Sequence, residues 1–236
     1  ILSHPNMEVV YADCLNEEEL QSAVENVDYA YYLIHSMREN NNEFVQKDQI
    51  AAKNFRDAAE RWGVKRIIYL GGLGEKNDRM SSHLRRRREV GQLLTQGSVP
   101  VIRVRAAIIL GTGSASYELM KAMIVNNRYI PFLSEFNSRC QPIAIRDVIK
   151  YLVGVMETPD LSSCIYQVGC KDILTYKEMI QSFAKILNRN VRFIDVSWVP
   201  FPVQWMCRVY ACWLHCFIPI PINITSLLLN SLETDV

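Results

Sequence analysis

Four short apolar runs, each ended abruptly by glycine or polar residues, constrain the fold of this chain more than any other feature. Two of them end in glycine-rich breaks, at 71–74 and 111–113. Helical patterns lie between the runs, and near-continuous apolar strands separated by helices are typical of a parallel sheet covered on both faces. The sequence therefore predicts an α/β fold with a doubly wound parallel sheet. Its expected strands are Met7–Tyr11, Tyr29–Ile34, Arg66–Leu70 and the run that ends at Ala107–Leu110.

The residues that follow these predicted strands are candidates for binding a ligand. In an open parallel sheet, ligands bind beyond the carboxyl ends of the strands, where glycine lets the backbone come close to them. Asp13 and Cys14 follow the first run, and His35 follows the second. Gly71 and Gly72 follow the third run. The sequence therefore predicts a nucleotide-type crevice at this edge of the sheet.

Charge and cysteine usage narrow the class of protein. The 236 residues include 26 basic and 25 acidic ones, so the net charge of +1 does not favour nucleic-acid binding. Seven cysteines are scattered without a C-x-x-C pair, which predicts free thiols in a reducing, cytoplasmic setting and no metal site. No signal peptide is visible, and the chain reaches a predicted strand almost at once. We therefore expect an earlier βα unit to be missing from this sequence.

The segment from Trp198 to the end differs from the rest in composition. It holds three of the four tryptophans, and the stretch between Pro202 and Pro219 is apolar nearly all round. That stretch is shorter than the roughly 20 residues a bilayer span needs, and it carries Arg208 and His215. We expect a buried lid helix and no transmembrane span, with an interfacial or partner-docking helix as the alternative.

Three segments carry a family resemblance. The fragments at 28–37, 66–74 and 139–148, which include Tyr31-Tyr32-Leu33-Ile34-His35, Ile68-Tyr69-Leu70-Gly71-Gly72 and Pro142-Ile143-Ala144-Ile145, resemble an atypical short-chain dehydrogenase/reductase of the NmrA-like NAD(P)-binding group. That group includes bacterial proteins similar to nucleoside-diphosphate-sugar epimerases, and it resembles an accessory subunit of respiratory complex I. The resemblance implies a partial Rossmann-type core over residues 1–113, followed by a C-terminal substrate lobe and apolar tail over 114–236.

The resemblance also implies NAD or NADP as the cofactor and assigns residues to it. By position, Asp13 would contact the adenine ring with Cys14 beside it, and the pair at 34–35 would pass under the ribose and phosphate. The family's glycine-rich phosphate turn is not in this sequence, so we expect this chain alone to bind a dinucleotide poorly and the parent protein to begin with a GxxGxxG turn. The implied cofactor-binding residues are Asp13, Cys14, Ile34, His35, Gly71, Gly72 and Arg87.

The same resemblance gives candidate catalytic residues. His83 and Arg87 stand where active members of the family carry Tyr-x-x-x-Lys, and Gly71 and Gly72 stand where they carry a Ser or Thr. Histidine is able to exchange protons near neutral pH, whereas arginine is effectively always protonated. His83 and Arg87 are four residues apart on a predicted helix, so they would point the same way.

Each candidate has a structural alternative. Asp13 would cap a turn before the helix that Asn16 begins, and His35 would bond to backbone. His83 would lie at a solvated helix start, 71–74 would be a flexible loop, and the arginines at 85–88 would spread around their helix as a solvated surface.

Two function hypotheses remain open. The first is an NAD(P)-dependent oxidoreductase acting on a small molecule held under residues 106–113 and covered by 139–143 and the tail. The second is a non-catalytic NAD(P)-binding protein, either a redox sensor or an assembly or scaffold subunit, because the usual Ser, Tyr and Lys are absent. The expected partners are accordingly a small-molecule substrate, a regulatory protein or a second copy of the chain in a homodimer.

Overall fold

A computed structural model describes residues 4–35, 42–74, 82–132 and 137–195, without the side chains of residues 42–44 and 82. The predicted tail from Trp198 onward lies outside the described residues. Helices and strands alternate along the first half of the chain, as the sequence predicts. The elements are α1 (Glu17–Val24), β1 (Tyr29–Tyr32), α2 (Asn42–Arg61), β2 (Arg66–Gly72), α3 (Ser82–Leu94), β3 (Val101–Ala106), β4 (Ile109–Leu110), α4 (Ala115–Asn126), β5 (Tyr129–Phe132), β6 (Arg139–Cys140), β7 (Ile143–Ala144), α5 (Ile145–Glu157), β8 (Cys164–Val168), β9 (Leu174–Thr175), α6 (Tyr176–Ile186) and β10 (Arg192–Asp195).

The largest sheet among the described residues has four parallel strands in the order β1-β2-β3-β8. The pairing sets Ala30 beside Ile67, and Ile68 beside Ile102. Helices connect these strands, as parallel pairing requires. The predicted α/β fold with a parallel sheet is confirmed.

The two faces of the sheet bury different cores. Along β3, Val101 packs on the side of α1, α2 and α3, whereas Ile102 and Val104 pack on the side of α5 against Val148. Successive side chains of a strand point to opposite faces, so a strand buried on both must be apolar along nearly its whole length. The apolar run of β2, and that of β3 apart from Arg103 and Arg105, therefore follow from the helices on either side.

Local sequence features mark where several helices begin and end. Asn16 caps α1 by accepting a hydrogen bond from the Glu18 amide, and Gly63 follows α2 with a φ of +71°. A capping box begins α6: Thr175 accepts from the Glu178 amide, and Glu178 accepts from the Thr175 amide. This capping box satisfies two backbone donors that the helix itself leaves without partners.

Two of the predicted strands need correction. Met7–Tyr11 forms no strand with the described residues, and most of its side chains are exposed, Tyr11 by 86%. A strand needs a neighbour for its backbone groups, and none of the described strands pairs with this run. The last predicted strand is split: β3 ends at Ala106, and Ile109 and Leu110 pair with β7 in a separate small sheet.

The region after Ser114 has a core of its own. Helices α4 and α6 pack together around Ile130 and Cys140, which are fully buried. Strand β5 pairs in parallel with β10, and β6 pairs with β9. No helix within the described residues is long and apolar enough to cross a bilayer.

Candidate functional site

A cavity of about 250 Å³ opens at the carboxyl end of β1, between the sheet and helices α2 and α3. It brings together four of the predicted site residues: Ile34 and His35 just after β1, and His83 and Arg87 on α3. The expectation that His83 and Arg87 face the same way is thus met, because residues four apart lie on one side of a helix.

Hydrogen bonds to strand β2 fix the position of α3. The Tyr69 hydroxyl donates to the Arg87 carbonyl over 2.8 Å, and the Arg87 guanidinium donates in return to the Leu70 carbonyl over 2.6 Å. Tyr69 is 3% exposed, so this pairing is shielded from water. The two bonds hold the Arg87 side chain against the sheet at the floor of the cavity.

The two histidines face each other inside this cavity. Their ring centroids are 6.3 Å apart with the planes at 66°. Burial and the neighbouring charges of Arg87 and Arg86 lower the pKa of His83 to about 4, and His35 contributes in the same direction. Burial and the Arg87 charge also lower the pKa of His35, although part of its ring stays exposed. The His83 ring is therefore neutral at pH 7, and the same two causes favour the neutral form of His35.

Further residues that sequence reasoning did not single out line the same cavity. They are Asp48 on α2, Tyr69 on β2, and Arg86 and Val90 on α3. Tyr69 lies two residues before Gly71 and so on the same face of the strand, which is the one signal that would have pointed to it. Asp48 lies more than thirty residues from His83 in the chain, and no local pattern joins them.

The predicted glycines have packing roles in this structure. Gly71 and Gly72 belong to strand β2, not to a flexible loop. A Cβ at Gly72 would lie 2.5 Å from the Leu84 side chain, and one at Gly71 would lie 3.1 Å from the Tyr69 ring. Their small size lets helix α3 and the Tyr69 ring lie close to the strand. Neither glycine lines the cavity with the two histidines.

Asp13 and Cys14 lie before α1, outside that cavity. The Asp13 carboxylate accepts a hydrogen bond from the Leu15 amide over 2.9 Å, which is the turn-capping contact named as the alternative. Cys14 is half buried against the α1–α2 side of the core, and its carbonyl accepts a hydrogen bond from the side-chain amide of Asn54. Burial, with the Asp13 charge, raises the pKa of the Cys14 thiol. Contact of either residue with a ligand remains a prediction.

The cavity suits one part of a dinucleotide. Its polar lining consists of imidazole nitrogens, guanidinium groups and one carboxylate, which suit ribose hydroxyls and phosphate oxygens. The Arg87 Nε atom is buried and has no hydrogen-bond partner among the described residues. An acceptor atom of a ligand would satisfy this donor. The cavity is therefore a candidate site for the ribose or a phosphate of a dinucleotide.

Comparison with known proteins shows which family of domains the first part of the chain resembles. Residues 1–103 match the family model described as NAD(P)H-binding. The first part of this chain is therefore similar to NAD(P)H-binding domains, which confirms the predicted resemblance and the predicted cofactor class.

Individual relatives are distant. The chain is 24% identical over 131 residues to the mitochondrial NADH dehydrogenase [ubiquinone] 1 alpha subcomplex subunit 9 of Dictyostelium discoideum. The match covers 55% of this chain and 36% of that protein, so the chain spans about a third of its relative's length.

Solved structures share the fold. A nucleoside-diphosphate-sugar epimerase of Staphylococcus aureus superposes with a TM-score of 0.71 at 14% identity, over 97% of this chain and 75% of that one. The Bordetella bronchiseptica enzyme WbmG, solved in complex with NAD and UDP, gives a TM-score of 0.65 at 12% identity, over 81% and 67%. At such identities the likeness establishes the fold and not the activity.

Proposed function

We propose that this chain belongs to an NAD(P)-binding protein that holds the dinucleotide without turning it over and reports its binding to a protein partner. One observation carries the proposal: the position expected to transfer a proton is filled by His83, whose pKa burial and two arginines lower to about 4. General acid catalysis is most efficient when the catalytic pKa lies near the operating pH. At neutral pH His83 is not an imidazolium that could protonate a carbonyl, and its low pKa makes it a weak base for taking a proton from an alcohol.

Arg87 supports the same conclusion. A lysine at its position would lower the pKa of a catalytic tyrosine, but a guanidinium keeps its proton and cannot relay one. One Arg87 donor is already used in the hydrogen bond to the Leu70 carbonyl. That bond holds helix α3 against the strand and does not bind a substrate. The residues we propose to contact the cofactor are those of the sequence prediction: Asp13, Cys14, Ile34, His35, Gly71, Gly72 and Arg87.

The site would hold the cofactor through its own polar groups. The imidazoles of His35 and His83 offer hydrogen bonds to ribose hydroxyls, and the Arg87 guanidinium attracts a phosphate. The bound cofactor would supply hydride-transfer chemistry, for which the chain has no Tyr-x-x-x-Lys pair at residues 83 and 87. A scaffold role is in line with the name of the Dictyostelium relative, which is a subunit of a larger assembly.

An oxidoreductase acting on a small carbonyl compound is the second candidate. The facing rings of His35 and His83 favour it, because a neutral imidazole can polarise a carbonyl group by donating its remaining N–H. In that case His83 and Arg87 are the catalytic residues, and the substrate lies toward residues 106–113.

The test uses the full-length protein and measures binding and turnover separately. Calorimetric titration with NAD, NADH, NADP and NADPH should give saturable binding, while absorbance of the reduced nicotinamide should stay constant with a panel of aldehydes and ketones. A partner found by cofactor-dependent pull-down should change cofactor affinity by the same factor by which the cofactor changes partner affinity, since linkage is reciprocal.

Variants of the two key residues separate the two candidates. The oxidoreductase is favoured if the natural protein shows turnover and this turnover falls at least tenfold in His83→Asn. The exposed-residue control Arg85→Gln should then keep its turnover. The double variant His83→Tyr/Arg87→Lys restores the residue types of active relatives, and its gain of turnover over the natural protein would support the non-catalytic assignment. Failure to bind any of the four dinucleotides would overturn both.

A further inference from the structure

A second group of arginines lies beside a recess that shares no lining residue with the histidine cavity. Arg103 and Arg105 stand two residues apart on β3, so their side chains leave the same face of the sheet. Arg88 of α3 approaches them from the helix. Beside them is a recess of about 190 Å³ lined by Gly72, Gly74, Leu84, Arg88 and Arg105. We call Arg88, Arg103 and Arg105 the arginine triad.

Glycines make room for the stems of two triad members. A Cβ at Gly91 of α3 would lie 3.2 Å from the Arg103 Cδ atom, tighter than an ordinary contact. A Cβ at Gly71 would lie 3.8 Å from the Arg105 Cγ atom. The backbone on both sides is thus shaped to let the two arginine side chains run between sheet and helix.

The positive charge of the triad is not neutralised within the described residues. The described ion pairs lie elsewhere, at Arg56–Asp57, Lys65–Asp28 and Lys150–Asp147. The Nε atom of Arg103 is buried and has no hydrogen-bond partner in the described part of the chain. Burial, followed by the charge of Arg88, lowers the pKa of both Arg103 and Arg105. Gathering like charges opposes folding, so a group of this kind is normally offset by an anion.

We propose that the arginine triad binds the phosphate or diphosphate group of a small molecule, at a site separate from the histidine cavity. Guanidinium groups bind phosphate oxygens through paired N–H donors. Arg88 and Arg105 line the recess and Arg103 adds its charge from beside it, so the combined charge matches a diphosphate better than a single phosphate. Gly72 and Gly74 leave the recess open at the carboxyl end of β2, where an anion can reach the guanidinium of Arg105 from solvent. The site uses neither His35 nor His83. It shares Gly72 with the residues we propose to contact the cofactor, so Arg88 and Arg105, which are not among those residues, are the ones to vary.

Calorimetric titration with inorganic pyrophosphate tests this site directly. We expect saturable binding that weakens with added salt, and at least a tenfold loss of affinity in Arg88→Gln and in Arg105→Gln. Arg85→Gln is the matched control, because Arg85 lies on the same helix but is exposed and outside the recess. Orthophosphate should bind more weakly than pyrophosphate. Circular dichroism of each variant confirms that it is folded, and Arg88→Gln gives a second reading if Arg105→Gln does not fold.

Several outcomes decide the proposal. Absence of pyrophosphate binding, or an equal loss in Arg85→Gln and Arg88→Gln, would overturn it, because the attraction would then be general surface charge. Retention of binding in His83→Asn supports a site distinct from the histidine cavity, and loss there would overturn that separation. Sedimentation with vesicles containing phosphatidylinositol phosphate identifies the source: triad-dependent sedimentation assigns a lipid headgroup, and pyrophosphate binding without it assigns a soluble ligand.

Discussion

At the scale of single residues, His83 is the side chain whose chemistry the fold changes most. Its ring lies partly buried on α3 between the charges of Arg86 and Arg87, and its pKa is about 4 instead of the usual 6.5. The same burial that removes it as a proton donor at pH 7 leaves it as a neutral hydrogen-bonding group. A residue that looks like an acid–base candidate in the sequence is therefore a polar contact in the folded chain.

This shift predicts a pH dependence of stability. Because the folded protein holds His83 neutral, the unfolded chain binds its proton first as the pH falls from 6.5 towards 4, and the free energy of unfolding decreases over that window. Between pH 7 and pH 5 the natural protein should lose about 2 kcal/mol more than His83→Asn. Urea unfolding at the two pH values measures the difference.

The control for that experiment is His4→Asn, which removes an exposed histidine. It should lose as much stability between the two pH values as the natural protein does. If His83→Asn and the natural protein have the same pH dependence, the ring is not held neutral and the argument against proton donation fails.

Sequence reasoning predicted part of the candidate site and missed part of it, for reasons that single residues make clear. The i, i+4 spacing of His83 and Arg87 is a local property of a helix, so their common direction was predictable. Asp48 joins them only because α2 packs against α3, which no local pattern encodes. Gly72 looked like a place for a ligand because it follows an apolar run, yet its small size is used by Leu84.

At the scale of elements, Arg66 connects the start of β2 with the end of α5. It is 5% exposed, and its guanidinium donates to the carbonyls of Val155, Met156 and Thr158 over 2.7, 3.3 and 2.8 Å. The last carbonyls of a helix have no partner within the helix, and they carry its partial negative charge. One buried cation therefore satisfies a helix end and attaches that helix to the sheet.

Removing this cation should be costly. Arg66→Gln removes a buried donor from three part-buried carbonyls, and we expect the free energy of unfolding to fall by about 3 kcal/mol. Arg66→Lys should lose less, because an ammonium group keeps the charge. Denaturant unfolding followed by circular dichroism gives these values. Arg61→Gln, an exposed arginine at the end of α2, should cost under about 1 kcal/mol, and a similar cost for both would contradict this assignment.

The elements themselves were predictable to different degrees. The starts of α1 after Asn16 and of α6 after Thr175 are marked in the sequence, because a cap depends on residues that are neighbours in the chain. Met7–Tyr11 has the composition of a strand but lies exposed, since strand formation needs a partner that composition cannot supply. The short pairing of Ile109 with Ile143 was missed for the same reason.

At the scale of the whole molecule, stability is concentrated in the two central strands. Ile67 and Ile68 of β2, and Val101 and Ile102 of β3, are fully buried, and each strand is paired on both edges. In β8, by contrast, Ile165 is 40% exposed and only one described neighbour pairs with the strand. The centre of the sheet should therefore be the last part to open.

Hydrogen–deuterium exchange with mass spectrometry tests this ordering. Peptides covering β2 and β3 should exchange slowest, and low urea should accelerate them together, because they open only with global unfolding. Peptides covering β8 should exchange faster through local opening. Exchange of β8 as slow as that of β2 would mean that an unseen contact protects this edge.

The reciprocal bonds between Tyr69 and Arg87 have a consequence for how this chain tolerates change. They fix the register of α3 against β2 from both sides, hydroxyl to carbonyl and guanidinium to carbonyl, independently of the connection between them. The position of the His83 imidazole is therefore set by bonds between the helix and the strand themselves, and it should withstand sequence changes elsewhere in the chain.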